Sequence, residues 1–294
     1  MKKKRKIGRI ILGILLSYLA IVVITKYREK VYIREELQKP EVIAAIENSD
    51  VKTVVDIGCD LATSQMATEH AKKYPWCYAA VGFHPHETRH MDEMTLMMIK
   101  SLAKKEKVVA IGEIGLDFHY DHSPRDVQEY WFREQIKLAN ELRLPIVIHS
   151  READNRTLEI LKEEGAFSDE RKGYFSPKPD GSSDARVLLH CYSGSPELAE
   201  QYVRLGATLS IAGPVTYKNN KKTPKVVEKI GIENLLIETD APYLTPEPLR
   251  GRRNMSPYVE HTARRIALIK GMDYEQVVEQ TCKNAERFFN IEES

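Results

Sequence analysis

From residue 50 to the end of the chain, short apolar runs alternate with longer stretches in which apolar residues recur every three or four positions. The short runs are rich in β-branched residues and are typical of buried parallel strands, whereas the longer stretches are typical of amphipathic helices. The alternation predicts repeated βα units around a parallel sheet. The predicted strands are Val51–Gly58, Tyr78–Gly82, Val108–Gly112, Pro145–His149, Arg186–His190, Ala207–Ile211 and Leu235–Glu238.

The longer stretches predict helices whose starts carry proline at several positions, where a missing N–H has no cost. They are Ala62–Lys73, Asp92–Lys105, Pro124–Arg143, Asp154–Glu164, Pro196–Leu205, Pro224–Ile230, Pro257–Ile269 and Asp273–Phe289. The seven predicted strands are one fewer than a complete (β/α)₈ barrel contains. The predicted fold class is therefore α/β, a TIM (β/α)₈-type barrel whose first strand is atypical or missing.

The first thirty residues differ from the rest of the chain. Six cationic residues lie within the first nine positions, and residues 10–25 contain no charged residue. No small-x-small cleavage site follows, so the pattern favours an uncleaved membrane anchor over an export signal. The uncharged run of about 16 residues is shorter than the roughly 20 needed to span a bilayer, but Ile7 and Gly8 extend it if Arg9 snorkels. Membrane association through residues 7–25 is the favoured interpretation.

The same run has an alternative interpretation as a barrel strand. One βα repeat of about 27 residues before Val51 falls near Ile24, and buried parallel strands are also continuously apolar. One segment can hardly be both an anchor and a strand, so either the barrel lacks its usual first strand or the run is mostly outside a membrane. We divide the chain into residues 1–30, the basic and apolar segment with any remnant first strand, and residues 31–294, the barrel.

Composition and charge limit the class of partner. A chain of 294 residues with 42% hydrophobic and 30% charged residues is neither disordered nor fibrous. The net charge of +1 becomes −5 once the six cations of the N-terminus are set aside. Broad basic surfaces hold nucleic acids by neutralising phosphates, so a phosphate substrate here requires metal ions or a few local arginines. The four separated cysteines predict free thiols.

The segment 167–184 is polar and rich in glycine and proline. It lies between a predicted helix and a predicted strand, and we expect an exposed loop insertion. Loops on that side of a barrel lie away from the catalytic face, so no role in chemistry is expected.

Polar residues gather where the predicted strands end. The carboxyl ends of barrel strands converge on one face, which carries the active site. Imidazole and carboxylate ligands suit Zn²⁺, Mn²⁺ and similar ions, and a bridging carboxylate can hold two of them. A divalent-metal site is therefore predicted at Glu113, His149, His190 and Asp240, whereas His84 and His86 are equally consistent with a ligand, a substrate contact or loop geometry. The motifs are GFHPH (82–86), GEIGLD (112–117), IHSR (148–151), HCYSG (190–194) and ETDAP (238–242).

These five motifs, followed by Arg252-Arg253-Asn254, resemble those of the TatD-type metal-dependent deoxyribonucleases in kind and order. The resemblance extends from about Val51 to the C-terminus. It implies an amidohydrolase-type TIM barrel, one or two divalent ions such as Mg²⁺, Mn²⁺ or Zn²⁺, and hydrolysis of DNA phosphodiester bonds, usually from the 3′ end. It also implies a cytoplasmic location, although the apolar segment favours a membrane location slightly.

The resemblance implies a role for each matching residue. Glu113 would bridge two metals, and His149 and His190 would complete the site for one of them. Asp240 would bind the other metal and orient or deprotonate the attacking water, which makes Asp240 and Glu113 the catalytic residues. The residues that would face the substrate are His84, Arg151, Tyr192, Arg253 and Asn254, with Tyr192 available for stacking.

One feature of the family is missing from this sequence. Family members begin with a strand that ends in His-x-His, and no such pair occurs before Val51, where residues 26–29 occupy the corresponding position. One metal site is therefore predicted to be intact and the other to have lost two ligands. Two alternatives remain: a barrel hydrolase of a small ester or amide, and a non-catalytic, membrane-associated barrel that lost one metal site.

Overall fold

The computed structural model describes Leu37 and residues 39–291. The chain divides into two compact units between Ala44 and Ala45. The described part of the first unit is Leu37 and residues 39–44, where helix α1 (Pro40–Glu47) begins. The apolar run and residues 26–29 lie outside the described residues, and the predicted division at residue 30 stays a prediction.

Seven parallel strands form one sheet in chain order, each hydrogen-bonded to the next. This arrangement, with helices between successive strands, confirms the predicted α/β barrel-type fold. All seven predicted strands are present. They are β1 (Val54–Ile57), β2 (Cys77–Val81), β3 (Val108–Asp117), β4 (Ile146–Arg151), β5 (Val187–Leu189), β6 (Thr208–Ile211) and β7 (Leu235–Ile237).

Several helices begin where a side chain caps their free N–H groups. Asp60 and Thr63 form a reciprocal capping box on the first helix after β1, and Asp92 and Thr95 form another on the next. The helices are α2 (Leu61–Lys73), α3 (Glu93–Leu102), α4 (Arg125–Leu142), α5 (Asp154–Glu163), α6 (Asp169–Lys172), α7 (Pro196–Arg204), α8 (Lys222–Lys229), α9 (Val259–Lys270) and α10 (Tyr274–Phe289). No helix in the described part of the chain is long and apolar enough to cross a membrane.

The apolar core has two parts, because successive strand residues point to opposite faces of the sheet. Ile146 and Ile148 of β4 belong to the larger cluster, which contains most of the buried apolar helix residues, whereas Val147 between them belongs to the smaller one. Phe288 and Phe289 at the end of α10 pack into the smaller cluster. Strand β3 is buried along its whole length and carries two carboxylates, Glu113 and Asp117, into this interior.

The polar segment 167–184 is only partly the exposed loop that its composition predicts. Residues 179–183 are exposed, but Arg171, Lys178 and Asp184 are buried. Arg171 donates hydrogen bonds to the carbonyl oxygens of Leu144 and Ala185, both at 2.9 Å. Lys178 donates to the carbonyl oxygen of Ala207 at 2.9 Å and to Asn234 Oδ1 at 2.6 Å. These acceptors lie just before β4, β5, β6 and β7, so the segment covers the amino end of the sheet.

Candidate metal centre

The structure brings the four predicted metal-site residues together at the carboxyl ends of the strands. Glu113 Oε1 lies 2.9 Å from His149 Nδ1, 3.7 Å from His190 Nε2 and 3.8 Å from His84 Nε2. Asp240 Oδ1 lies 3.4 Å from His190 Nε2. Glu113 is thus the centre of the group, with three imidazoles around one of its oxygens and Asp240 beyond His190.

A glycine allows β3 to approach β4 at this point. Gly115 pairs with His149 in the sheet and has a φ of +144°. A Cβ atom on Gly115 would lie 1.9 Å from the carbonyl oxygen of His149, so no other residue fits there. The close approach places the Glu113 carboxylate beside the imidazole of His149.

Two of the histidines have a carboxylate behind the ring. His149 Nε2 lies 3.0 Å from Asp117 Oδ2, and His190 Nδ1 lies 2.6 Å from Glu238 Oε2. A carboxylate in this position accepts a hydrogen bond from the ring N–H. The proton is thereby held on that nitrogen, and the lone pair of the other nitrogen is left for a metal. The free lone pairs are those of His149 Nδ1 and His190 Nε2, and both face Glu113.

Asp117 and Glu238 are not among the residues predicted for the site from the sequence, although both stand in the GEIGLD and ETDAP motifs. Asp117 lies four residues after Glu113 in the same strand, and the period of two in strands places both side chains on one face. That spacing is the signal that could have identified Asp117. Glu238 directly follows β7 and stands two residues before Asp240.

His84 differs from the other two histidines. Its Nδ1 accepts a hydrogen bond from the backbone N–H of His86 at 3.2 Å, so a neutral ring carries its proton on Nε2, the atom that faces Glu113. Burial lowers the pKa of His84 well below its ordinary value, and the neighbouring His149 acts in the same direction. Ligand atoms of His84, Glu113 and His149 all lie within 4.8 Å of one another. The hydrogen bond nevertheless orients His84 as an N–H donor.

The charges of the centre stabilise one another. Burial opposes the charged form of His149, but hydrogen bonds to Asp117 and Glu113 raise its pKa to about 9. Burial likewise opposes ionisation of Glu113, yet the surrounding histidines lower the pKa of this carboxyl group. Burial raises the pKa of Asp240 above its ordinary value. A protonated His149 carries one proton toward Glu113, on Nδ1, and one toward Asp117, on Nε2. A divalent cation can take the place of the proton on Nδ1.

The donor atoms fit one divalent ion. One carboxylate and two imidazole lone pairs converge, and each imidazole is oriented by a buried or mostly buried carboxylate. A second ion would have a poorer set of ligands among the described residues, because Asp240 and the shared Glu113 are the donors that remain for it there. All nine histidines lie at or after His70, so none stands where the family carries His-x-His.

The predicted substrate-facing residues are placed differently from one another. Arg151 is exposed at the end of β4. Tyr192 is only 7% exposed and donates its hydroxyl to the carbonyl oxygen of Ser195 at 2.9 Å, so its buried ring is not available for the predicted stacking. Asn254 is fully buried and donates to the carbonyl oxygens of Thr239, at 2.7 Å, and Tyr243, which positions the loop that carries Asp240. Arg253 is half-buried beside it.

The fold and the centre match a known family. Residues 26–290 match the profile of the TatD-related DNases. The chain is 44% identical to the uncharacterized metal-dependent hydrolase YabD of Bacillus subtilis, over 85% of this chain and 92% of YabD. It is 34% identical to the 3′-5′ ssDNA/RNA exonuclease TatD of Salmonella typhimurium, over 86% of this chain and 93% of that protein. The crystal structure of YjjV, a TatD homologue from Escherichia coli K12, superposes with a TM-score of 0.75 at 25% identity and covers 87% of this chain and 96% of YjjV.

The chain therefore belongs to the TatD-related DNase family. Membership confirms the predicted class, a metal-dependent hydrolase, and the predicted dependence on a divalent metal. It also corrects the predicted location, because the relatives are named as hydrolases and exonucleases and the family profile begins directly after the apolar run. The membrane location inferred from residues 7–25 is wrong on this comparison, and the run itself lies outside the described residues.

Proposed function

We propose that this protein removes nucleotides from the 3′ end of single-stranded DNA by hydrolysis of phosphodiester bonds. The observation that supports this most strongly is the convergence of two carboxylate-backed imidazoles on Glu113, next to Asp240. Relatives that carry the name 3′-5′ ssDNA/RNA exonuclease support the choice of substrate and polarity. RNA is the second polymer that those names include.

Glu113, His149 and His190 would hold the divalent ion. When bound, such an ion supplies Lewis acidity for the phosphoryl oxygen and makes water more acidic. Asp240 lies at the edge of this ligand set and its side chain is 32% exposed, so its carboxylate is placed to orient the attacking water and accept its proton. His84 Nε2–H donates a hydrogen bond to a phosphate oxygen, and the exposed guanidinium of Arg151 pairs with the phosphate charge.

The test is hydrolysis of a 5′-labelled single-stranded DNA oligonucleotide in Mg²⁺ or Mn²⁺, with EDTA as the metal-free control. Asp240→Asn retains the shape of the side chain and removes the base, so we expect the rate to fall by about 10²-fold to 10⁴-fold with an unchanged thermal melting temperature. Asp180→Asn, at an exposed position in the segment that covers the amino end of the sheet, should retain the rate of the unmodified protein. Equal turnover by Asp240→Asn and the unmodified protein would exclude this role.

The products and a second substrate panel test the rest of the proposal. Successive shortening from the 3′ end is expected on denaturing gels, and internal cuts would contradict the exonuclease assignment. Hydrolysis of chromogenic carboxyl esters or amides without cleavage of DNA or RNA would instead favour the small-substrate alternative.

A further inference from the structure

An exposed aromatic ring stands beside the metal centre, on the loop of residues 118–124 between β3 and α4. Tyr120 is 49% exposed. Its ring centre lies 5.5 Å from that of His86, and the ring of His86 lies 4.4 Å from that of His84. The ring of His122 is parallel to that of Tyr120 at 5.5 Å. The side chain of His86 therefore lies between the exposed ring and His84, which faces Glu113.

The loop is held in a fixed position relative to the centre. Asp117 Oδ1 accepts hydrogen bonds from the backbone N–H groups of His119, at 3.1 Å, and Tyr120, at 2.9 Å. The other oxygen of the same carboxylate contacts His149 and His86. Ser123 donates its hydroxyl to the carbonyl oxygen of His86 at 2.9 Å. One buried carboxylate thus positions both a metal-binding imidazole and the exposed ring.

The cationic side chain of Arg151 lies over the ring of Tyr120. The guanidinium carbon of Arg151 lies 4.6 Å from the ring centre of Tyr120. Cation–π contacts between exposed groups are weak, and stacking of a nucleobase on an aromatic ring is stronger. A base can therefore replace the guanidinium on the ring. The displaced guanidinium then lies beside the backbone of the same nucleic acid, where it can bind a phosphate through two hydrogen bonds.

We propose that Tyr120 is the stacking residue for the base of a nucleotide that flanks the scissile phosphate, and that Arg151 moves from this ring to the neighbouring phosphate when the base binds. This inference rests on the proposed function, and it assigns to Tyr120 the role that the sequence suggested for Tyr192.

The test compares Tyr120→Ala and Tyr120→Trp with a matched control, Tyr130→Ala. Tyr130 is also 49% exposed, but it lies on α4 and its hydroxyl contacts Glu93. With single-stranded oligothymidylate and Mn²⁺, we expect Tyr120→Ala to lower kcat/KM by about fivefold to a hundredfold, mostly through KM. Tyr120→Trp should retain the activity of the unmodified protein, and so should Tyr130→Ala. Equal losses in Tyr120→Ala and Tyr130→Ala would overturn the proposal.

An abasic substrate tests the stacking itself. The same oligonucleotide is made with a tetrahydrofuran residue at its last or next-to-last position, the two nucleotides that flank the terminal phosphodiester. For one of these substrates, the difference between the unmodified protein and Tyr120→Ala should disappear, because no base remains to stack. A difference that persists with both abasic substrates would overturn the assignment.

Binding without hydrolysis separates this inference from the proposed function. In EDTA, the unmodified protein should quench the fluorescence of a terminal 2-aminopurine, and Tyr120→Ala should not. Quenching by the unmodified protein in the absence of any cleavage in Mn²⁺ would support stacking and refute the exonuclease activity. Cleavage with equal KM for the unmodified protein and Tyr120→Ala would refute stacking and leave the exonuclease activity in place.

Discussion

The partner behind each imidazole determines what the ring can do. His149 and His190 each have a carboxylate on the far nitrogen, so a lone pair faces Glu113. His84 has a backbone N–H on its far nitrogen, so an N–H faces Glu113. The three histidines around Glu113 thus divide into two candidate ligands and one candidate hydrogen-bond donor.

This division predicts that removal of the far carboxylate charge weakens metal binding. Asp117→Asn and Glu238→Gln should each lower the affinity for Mn²⁺ or Zn²⁺ by about tenfold to a hundredfold, because the ring loses both its orientation and part of its basicity. Isothermal titration calorimetry of the metal-free protein measures the affinity. Asp180→Asn is the control with an exposed carboxylate. An unchanged affinity in both variants would contradict the assignment of His149 and His190 as ligands.

Among the elements, the segment 167–184 covers the amino end of the sheet. The N–H groups of Arg171 and Lys178 donate to three backbone carbonyl oxygens just before β4, β5 and β6, and to the side-chain oxygen of Asn234 just before β7. Buried oxygens of this kind need such donors. Both are cations inside the protein, and burial lowers the pKa of Lys178 to about 8. The fold therefore disfavours the charged form of this lysine.

The lowered pKa predicts a pH-dependent stability. Between pH 8 and the unfolded value of about 10.4, the unfolded chain retains the proton on Lys178 and the folded chain has lost it. The free energy of unfolding should therefore rise through this window, by at most about 1.4 kcal/mol per pH unit, and this contribution is lost as the pH falls through 8. Urea unfolding of the unmodified protein and of Lys178→Met should show the rise only in the former. Lys172→Met, a less buried cation of the same segment, is the control, and an identical pH slope in all three proteins would refute the prediction.

For the whole molecule, the count of metal ions tests the consequence of the missing His-x-His. We expect one divalent ion per chain, because Glu113, His149 and His190 form the one converging set of donors among the described residues that the carboxylates behind the rings support. Elemental mass spectrometry on purified protein measures the ratio. Glu113→Gln should reduce the ratio well below one, whereas Glu152→Gln, at an exposed carboxylate that contacts His119, should leave it unchanged. Two ions per chain in the unmodified protein would contradict this expectation.

Much of the fold could be predicted from the chain alone. Each predicted strand has its counterpart in the sheet, because burial on both faces requires continuous apolar runs. The extent of β3 could not be predicted in this way. It continues to Asp117, five residues beyond the predicted end at Gly112, although glycines usually weaken strands. The neighbouring strand β4 supplies the hydrogen-bond partners that extend it, up to the pair of Asp117 and Arg151.

The sequence by itself determined the fold class, the family and the identity of the candidate metal ligands. Local patterns are sufficient for these, since periodicity records burial and the motifs lie at strand ends that every such barrel brings together. Only the tertiary structure decided which nitrogen of each histidine faces Glu113, that Tyr192 is buried, and that Tyr120 stands exposed beside the centre. These properties depend on contacts between residues far apart in the chain, and no local pattern records such contacts.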